Sequence, residues 1–454
     1  MKNITTRKVR VAAAFLFSLL GLYKLSQIDA VVAIPQKINN IPATKQLIKP
    51  GATPLIKPGT TPLIKPGATP LVSTVDRNLV SANTKFGFKL FSELIKKQSN
   101  KNIFVSPSSV AIALAMTYNG ANGTTQKAMA KTLELNNLSL QQINAANAIL
   151  KTTLENADPQ VQVKIANSLW ANQDYPSQQS FLQNSQNFYN AQVSNLDFNN
   201  PNAPQVINNW VQRNTNGKIN QIIDKIQPDD VLYLLNAIYF NGKWTDKFDK
   251  KQTANYPFYL PNKQQLQQPM MSQTGEYSYY ENANFQAVSL PYGQNRRFSL
   301  YIFLPQRNSS LAAFYKNLNA TNWEQWINQF SSNRQGFIRI PRFKIEYETT
   351  LNDALKALGM SVAFSPQADF SGISNVSSTK KKLSISEVKH KTFVEVNEAG
   401  TEAAAVTSVG VIAISAVTNL AKPFQMIVDR PFFCAIRDDV TGTILFMGAI
   451  VNPQ

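Results

Sequence analysis

The chain has 454 residues, 43% of them hydrophobic, and a formal net charge of +18, so it is long enough to bury a large core. It contains one histidine, His390, and one cysteine, Cys434, which excludes an internal disulfide and the usual zinc sites built from cysteine and histidine ligands. Residues 1–78 hold eleven Lys and Arg against two Asp and Glu, half of the charge excess. The remainder therefore has an ordinary surface charge, and no nucleic-acid partner is expected.

An N-terminal targeting segment is predicted at residues 1–33. Four basic residues, the last of them Arg10, precede an apolar run at 11–23. This run is short for a membrane span and suits the core of a signal peptide, with cleavage after Ala30 or Ala33. The alternative is an uncleaved signal anchor, which would be the only membrane attachment. Both interpretations predict that the rest of the chain lies outside the cytoplasm, either secreted (extracellular or periplasmic) or anchored to the outer side of a membrane.

Residues 34–78 are predicted to be a proline-rich linker. Within it, residues 47–70 hold three octapeptide repeats of the form Leu-Ile-Lys-Pro-Gly-Ala/Thr-Thr-Pro. Two prolines in each repeat prevent both a helix and a central strand, which leaves an extended spacer of about 3.1 Å per residue. The repeats fit two interpretations equally well. One is a stalk that holds a domain away from a membrane or wall, and the other is a linker expanded by duplication.

A buried helix is predicted to follow Ser106. This serine is a favourable N-cap, Pro107 suits the first helical position, and Gly120 can end the helix. The residues at 110–116 are apolar nearly all round, as a helix in the centre of a core requires.

Two later stretches are predicted to be buried strands. His390 shares one face of the first strand with Thr392, Val394 and Val396. Cys434 lies in the apolar second stretch, Phe-Phe-Cys-Ala-Ile, where a small core residue is the expected role.

Residues 397–415 form the most informative segment. An acidic turn passes into an uncharged stretch of small residues, and residues 400–421 contain no Pro, Lys, Arg, His or aromatic residue. A central strand must lack proline because every backbone N–H is needed for pairing. Two glycines and three consecutive alanines nevertheless make a poor strand by intrinsic preference. The segment can therefore enter a sheet without being committed to one.

Enzyme motifs are missing from the sequence. There is no Gly-x-Ser-x-Gly nucleophile elbow and no glycine-rich phosphate loop of either common type. A Ser-His-Asp or Cys-His arrangement would have to use His390. A carboxylate pair stays open on composition alone but has no positive support. We expect no enzyme, no cofactor and no metal.

A series of motifs in a fixed order carries a family resemblance. They are Asn102-Ile-Phe-Val-Ser-Pro, Asn236-Ala-Ile-Tyr-Phe-Asn-Gly-Lys-Trp, Ser289-Leu-Pro-Tyr, Ile302-Phe-Leu-Pro, Ile340-Pro-Arg-Phe-Lys, Asp369-Phe-Ser-Gly, Glu398-Ala-Gly-Thr-Glu-Ala-Ala-Ala, Arg430-Pro-Phe-Phe and Leu445-Phe-Met-Gly. From about Leu79 to Pro453 the chain resembles the serpins, a family of serine protease inhibitors. The resemblance implies an α+β serpin fold with three β-sheets, about eight or nine helices and an exposed reactive-centre loop. It implies one domain, 79–454, acting as a monomer.

The resemblance also assigns site residues. Its inhibitory hinge corresponds to Glu398, Gly400, Thr401, Glu402, Ala403, Ala404, Ala405 and Thr407. Its shutter, a polar cluster under the central sheet, corresponds to Ser106, Ser109, Asn236 and His390. Its breach, where the loop first enters the sheet, corresponds to Trp244. Plain core roles are the alternative for His390 and Trp244.

By this resemblance the protein is a metastable suicide inhibitor that forms a covalent acyl complex with its target serine protease. The family's usual spacing puts the reactive bond between Ile414 and Ser415, with Val411, Ile412 and Ala413 as alternative P1 residues, the residues on the N-terminal side of the cleaved bond. Residues 401–421 contain no Lys, Arg or aromatic residue. This composition favours elastase-like or subtilisin-like targets. The alternatives are a non-inhibitory serpin that acts as a carrier or chaperone, and a cross-class inhibitor of papain-like cysteine proteases.

Activation by heparin through the fourth helix is not expected. The region that corresponds to this helix, 138–156, contains a single basic residue, Lys151.

Overall fold

A computed structural model describes residues 74–98, 100–227, 229–375, 382–401 and 422–454. Residues 71–454 form one compact unit, and its first helix begins two residues before the predicted domain start at Leu79. The predicted signal segment, the octapeptide repeats and residues 402–421 lie outside the described residues.

The helices of the described residues are nine in number, in keeping with the predicted eight or nine. They are α1 Arg77–Gln98, α2 Pro107–Tyr118, α3 Gly123–Thr132, α4 Leu140–Glu155, α5 Gln179–Tyr189, α6 Ala203–Asn214, α7 Leu311–Tyr315, α8 Ala320–Ile327 and α9 Asn352–Leu355. No helix among these is long and apolar enough to cross a lipid bilayer.

The described strands are fifteen. They are β1 Ile103–Val105, β2 Val161–Asn172, β3 Gln192–Leu196, β4 Leu232–Lys243, β5 Ala254–Tyr259, β6 Gln265–Glu281, β7 Phe285–Tyr292, β8 Phe298–Pro305, β9 Ser331–Pro341, β10 Phe343–Thr350, β11 Glu387–Asn397, β12 Gly400–Thr401, β13 Phe424–Ile427, β14 Phe432–Asp438 and β15 Ile444–Ile450.

Pairing joins these strands into two sheets, where the sequence predicted three. The six-stranded sheet has the order β10-β11-β12-β4-β2-β3, and β11 also pairs directly with β4. The nine-stranded sheet has the order β1-β15-β14-β8-β7-β6-β9-β13, with β5 on β6. The long strand β6 pairs with β9 and β5 along its first part and with β7 at its end. It therefore makes one continuous hydrogen-bonded network of what would otherwise be two sheets.

Helix α2 begins as the sequence predicted. The side chain of Ser106 accepts a hydrogen bond from the Ser109 backbone N–H, Pro107 is the first helical residue, and all twelve residues of the helix are buried. The helix ends at Tyr118 with Asn119 as its C-cap, so Gly120 is the first residue beyond the cap, in keeping with the predicted helix end. A Cβ atom on Gly120 would lie 2.1 Å from Ile373 Cγ1, so this position must be glycine for close packing.

Both faces of the six-stranded sheet are covered. One face packs on the main core, with Leu234, Ile238 and Val388 among its residues. The other face packs under α6 and the segment that follows it, in a second cluster that includes Leu235 and Phe393. A strand buried on both faces reads as a continuous apolar run, which explains the composition of β4.

Candidate functional site

Residues 400 and 401 form β12, which lies in the six-stranded sheet between two strands that are parallel to each other. β12 pairs antiparallel with β11, where Thr401 lies opposite Val396, and antiparallel with β4, where Thr401 lies opposite Gly242. Thr401 is fully buried, and its hydroxyl lies 2.7 Å from the hydroxyl of Tyr292. The first residues of the predicted hinge are thus already part of the sheet.

Gly400 is required by the geometry of this entry point. Its φ is +142°, which L side chains rarely adopt, and a Cβ atom there would lie 2.1 Å from the carbonyl oxygen of Gly242. The same glycine that lowers the strand propensity of the segment allows its first residues to fit between β11 and β4.

Trp244, the predicted breach residue, contacts the hinge directly. Its backbone N–H donates to the carbonyl of Ala399 at 3.1 Å, and its indole N–H donates to the carbonyl of Asn397 at 2.8 Å. Its ring stacks on Tyr292 with 4.2 Å between centroids. The tryptophan therefore binds the turn between β11 and β12 through two hydrogen bonds while the stacked tyrosine holds its ring.

Glu398 is a buried carboxylate with two partners. Its Oε1 accepts hydrogen bonds from Arg342 Nε at 2.7 Å and from the Thr253 hydroxyl at 2.5 Å. The pKa of Glu398 lies below its ordinary value: burial acts to raise it, but the hydrogen bonds from Arg342 and Thr253 stabilise the ionised form and prevail. The glutamate stays charged at neutral pH and fixes the N-terminal end of the hinge. Arg342 belongs to the Ile340-Pro-Arg-Phe-Lys motif, but neither it nor Thr253 was predicted to contact Glu398.

Below the hinge, β11 and β4 are direct neighbours. Seven parallel pairs join them, from Glu387 opposite Tyr233 to Phe393 opposite Tyr239. Because β11 and β4 run in the same direction, one strand placed between them could pair antiparallel with both. β11 and β4 therefore pair directly along this seam and are separated by β12 only at the end near Val396 and Gly242.

The four predicted shutter residues lie together under the seam. Asn236 donates through Nδ2 to Ser109 Oγ at 2.5 Å, and its Oδ1 lies 2.7 Å from His390 Nδ1. The Ser106 backbone N–H donates to His390 Nε2 at 3.0 Å, and the Ser106 side chain caps α2. The cluster thus joins β4, β11 and the start of α2 through side-chain hydrogen bonds.

His390 is neutral in this cluster. Because Nε2 accepts from Ser106, Nδ1 carries the proton and donates to Asn236. Burial lowers the pKa of His390 to about 3. Both ring nitrogens are occupied and the side chain is fully buried, so the only histidine of the chain cannot act as a base toward a substrate.

Asn167 is a fifth member of the shutter that the sequence analysis missed. It lies on β2 directly opposite Asn236, and its Oδ1 accepts a hydrogen bond from Asn236 Nδ2 at 2.5 Å. It stands on the strand face that also carries Val163 and Ile165. A lone amide among apolar residues of one face was the signal that could have identified it.

Cys434 and Lys151, two further residues considered in the sequence, are both buried. Cys434 is fully buried on β14, where burial raises the pKa of its thiol. Lys151 is buried on α4 and paired with Glu155 at 2.6 Å, so it adds no exposed charge to that helix. Among the described residues no cluster of His, Cys, Asp and Glu could hold a metal ion. The remaining predicted residues lie outside the described residues: Glu402, Ala403, Ala404, Ala405, Thr407, Val411, Ile412, Ala413, Ile414 and Ser415.

Comparisons with known proteins agree with this architecture. A family model described as Serpin (serine protease inhibitor) matches residues 81–453. An uncharacterized serpin-like protein of Methanosarcina acetivorans is 33% identical over 389 residues, which cover 84% of this chain and 89% of that protein. The human leukocyte elastase inhibitor is 34% identical over 390 residues, which cover 83% of this chain and 99% of that protein.

Solved structures of serpins are also similar to this chain. The native state of tengpin, a thermophilic serpin, superimposes with a TM-score of 0.75 at 32% identity, covering 84% of this chain and 95% of that one. The complex of human thyroxine-binding globulin with its hormone superimposes with a TM-score of 0.76 at 27% identity, covering 83% of this chain and 98% of that one. Serpins are in general protease inhibitors rather than enzymes. The chain belongs to the serpin family.

Proposed function

We propose that this protein is a suicide inhibitor of a serine protease, which it traps as an acyl-enzyme when its cleaved loop inserts between β11 and β4. The protease serine would attack the carbonyl carbon of Ile414, form an ester there and release the amino group of Ser415. Insertion of the segment after Gly400 would then carry the bound protease away from its entry point and distort its catalytic groups before water hydrolyses the ester.

One observation supports this proposal above all others: the hinge is in register with the seam below it. Thr401 lies opposite Val396 on β11 and Gly242 on β4. Each residue after Thr401 would therefore pair with the next lower-numbered residue on both strands. Residue 410 would then come opposite Glu387 and Tyr233, which are already partners of each other across the seam. An entering strand could therefore pair with both neighbours over ten residues without any slip of either one.

The side chains of that strand suit the two faces they would meet. Residues that share a face with Thr401 are Ala403, Ala405, Thr407 and Val409, which are small or apolar and would enter the main core. Thr407 would come opposite both His390 and Asn236. Its hydroxyl can accept from one and donate to the other, and so can replace the His390–Asn236 hydrogen bond that strand separation breaks.

We propose an elastase-like or subtilisin-like target. The reactive segment offers Ile, Val and Ala at every candidate P1 position, and such side chains suit small apolar specificity pockets. The human relative is named a leukocyte elastase inhibitor, which supports the same class of target. We also propose that the protein acts outside the cytoplasm, on the strength of the basic and apolar pattern at residues 1–33.

The test is to mix the full chain with an elastase and with a subtilisin and to analyse the products on denaturing gels and by mass spectrometry. We expect a band of inhibitor plus protease that resists denaturation, together with a released C-terminal peptide that begins at Ser415. Cleavage without such a band across a broad protease panel would contradict the proposal and favour a carrier or chaperone role. A stable band with papain alone would instead indicate cross-class inhibition.

A further inference from the structure

A cavity of about 250 Å³ lies at the end of the nine-stranded sheet, where the turn from β6 to β7 meets α7 and α8. Its lining includes no residue of the hinge, breach or shutter. The proposed inhibitory mechanism makes no use of this cavity.

Three aromatic side chains line the cavity and pack on one another. Trp326 is partly exposed, and its ring centroid lies 5.0 Å from that of Phe285 and 5.3 Å from that of Phe314. The two phenylalanines are buried and lie 5.6 Å apart. The indole is therefore fixed by rings on two sides and still offers surface to a ligand.

Asparagine side chains supply the polar part of the lining. The side-chain amides of Asn284 and Asn317, both exposed, form no hydrogen bond with any described residue. Asn322 is anchored by its Nδ2, which donates to the Asn317 carbonyl at 2.7 Å, while its Oδ1 has no partner among the described residues. Donors and acceptors thus stand free beside an aromatic surface.

The lining contains no Lys, Arg, Asp or Glu. A phosphate or carboxylate ligand would find no counter-charge here, and an amine would find no carboxylate, so the lining matches a neutral ligand. Amides donate and accept at the same site, as sugar hydroxyls do, and an aromatic face suits the apolar C–H face of a sugar ring. We propose that this cavity binds a neutral saccharide through one sugar residue.

The size of the cavity agrees with a ligand of one ring. Pockets for drug-sized molecules measure about 300–1,000 Å³, and this cavity is smaller. A single sugar residue held by two or three amide hydrogen bonds should bind with a dissociation constant of about 1 mM.

The experiment is saturation-transfer NMR of the full chain with glucose, galactose and N-acetylglucosamine, followed by titration of the sugar that binds best. Glucose 6-phosphate and glucuronic acid serve as charged comparisons. The test variant is Asn284→Ala/Asn317→Ala, since both side chains are exposed and unbonded and their loss should not disturb folding. The matched control is Asn308→Ala, an exposed asparagine outside the lining.

We expect at least one neutral sugar to bind, with affinity about tenfold weaker in the double variant because two amide hydrogen bonds are lost, and unchanged in the control. The proposal is wrong if no neutral sugar binds at about 50 mM, far above the expected constant. It is also wrong if the double variant binds as tightly as the parent chain, or if the charged sugars bind more tightly than the neutral ones. All of these outcomes are independent of protease inhibition.

Discussion

At the scale of single residues, His390 should make the native state sensitive to mild acid. Its pKa in the folded chain is about 3, against about 6.5 in an unfolded chain. Below pH 6.5 the unfolded chain therefore binds a proton that the folded chain does not, so stability falls as the pH falls. Between pH 7 and 5.5 we expect the free energy of unfolding to drop by about 1 kcal/mol.

Urea unfolding at the two pH values measures this drop, with His390→Gln as the comparison. The variant has no titrating ring, so its unfolding free energy should change much less over the same interval. Carboxylates titrate lower than pH 5.5 and contribute little there. Equal losses in the two proteins would show that another group is responsible.

The residues of the site differ in how far the sequence could predict them. The family resemblance assigned Ser106, Ser109, Asn236 and His390 to the shutter. Asn167, an amide on an otherwise apolar strand face, was overlooked. Arg342 lies in one of the family motifs, but nothing in the sequence pairs it with Glu398, because a half-exposed arginine has many alternative partners.

At the scale of elements, the hinge strand should tolerate charge on one face only. Thr401 is fully buried against Tyr292, so Thr401→Arg would place a cation in the core and block entry of the strand. Glu402 would come opposite Glu395 and Asn241, which are both partly exposed. Glu402→Arg is therefore a matched control, with the same new side chain one residue further on.

Gel assays that compare stable complex with cleaved product distinguish the two variants, with whichever protease forms a stable complex with the parent chain. Thr401→Arg should lose at least about 90% of the stable complex while it is still cleaved, because slow insertion lets the ester hydrolyse first. Glu402→Arg should keep most of its complex. If both variants inhibit as well as the parent chain, the strand does not enter at the register proposed here.

Elements were predicted best where local chemistry determines them. The start of α2 follows from a capping serine and a proline at the first helical position, both of which act over a few residues. The close packing at Gly120 was not predicted, because it depends on Ile373, a residue far along the chain. The sequence also did not predict that β6 would join two sheets into one, because pairing between strands depends on contacts that are distant in sequence.

At the scale of the whole molecule, the fold combines a complete core with a central sheet in which two parallel strands meet at a seam. The main core and the cluster under α6 bury both faces of the six-stranded sheet, yet β11 and β4 meet as parallel neighbours with a two-residue strand at their upper end. An antiparallel strand in the seam would continue the two ladders that β12 already forms with β11 and with β4. The intact chain would then be held in its present state by a kinetic barrier, because its loop is tied at both ends.

Cleavage within residues 411–421 should therefore stabilise the molecule rather than weaken it, because the freed segment would be long enough to fill the seam down to Glu387 and Tyr233. The freed segment would add a strand paired on both sides, and each further 1 kcal/mol would raise the melting temperature by about 2 °C in a domain of this size. Calorimetry of the intact and the cleaved full chain should show a rise of at least about 10 °C. The cleaved Thr401→Arg variant should show no such rise, because its strand cannot enter. An identical melting temperature for intact and cleaved parent chain would mean that the seam stays closed, and an inhibitor that works by insertion would be excluded.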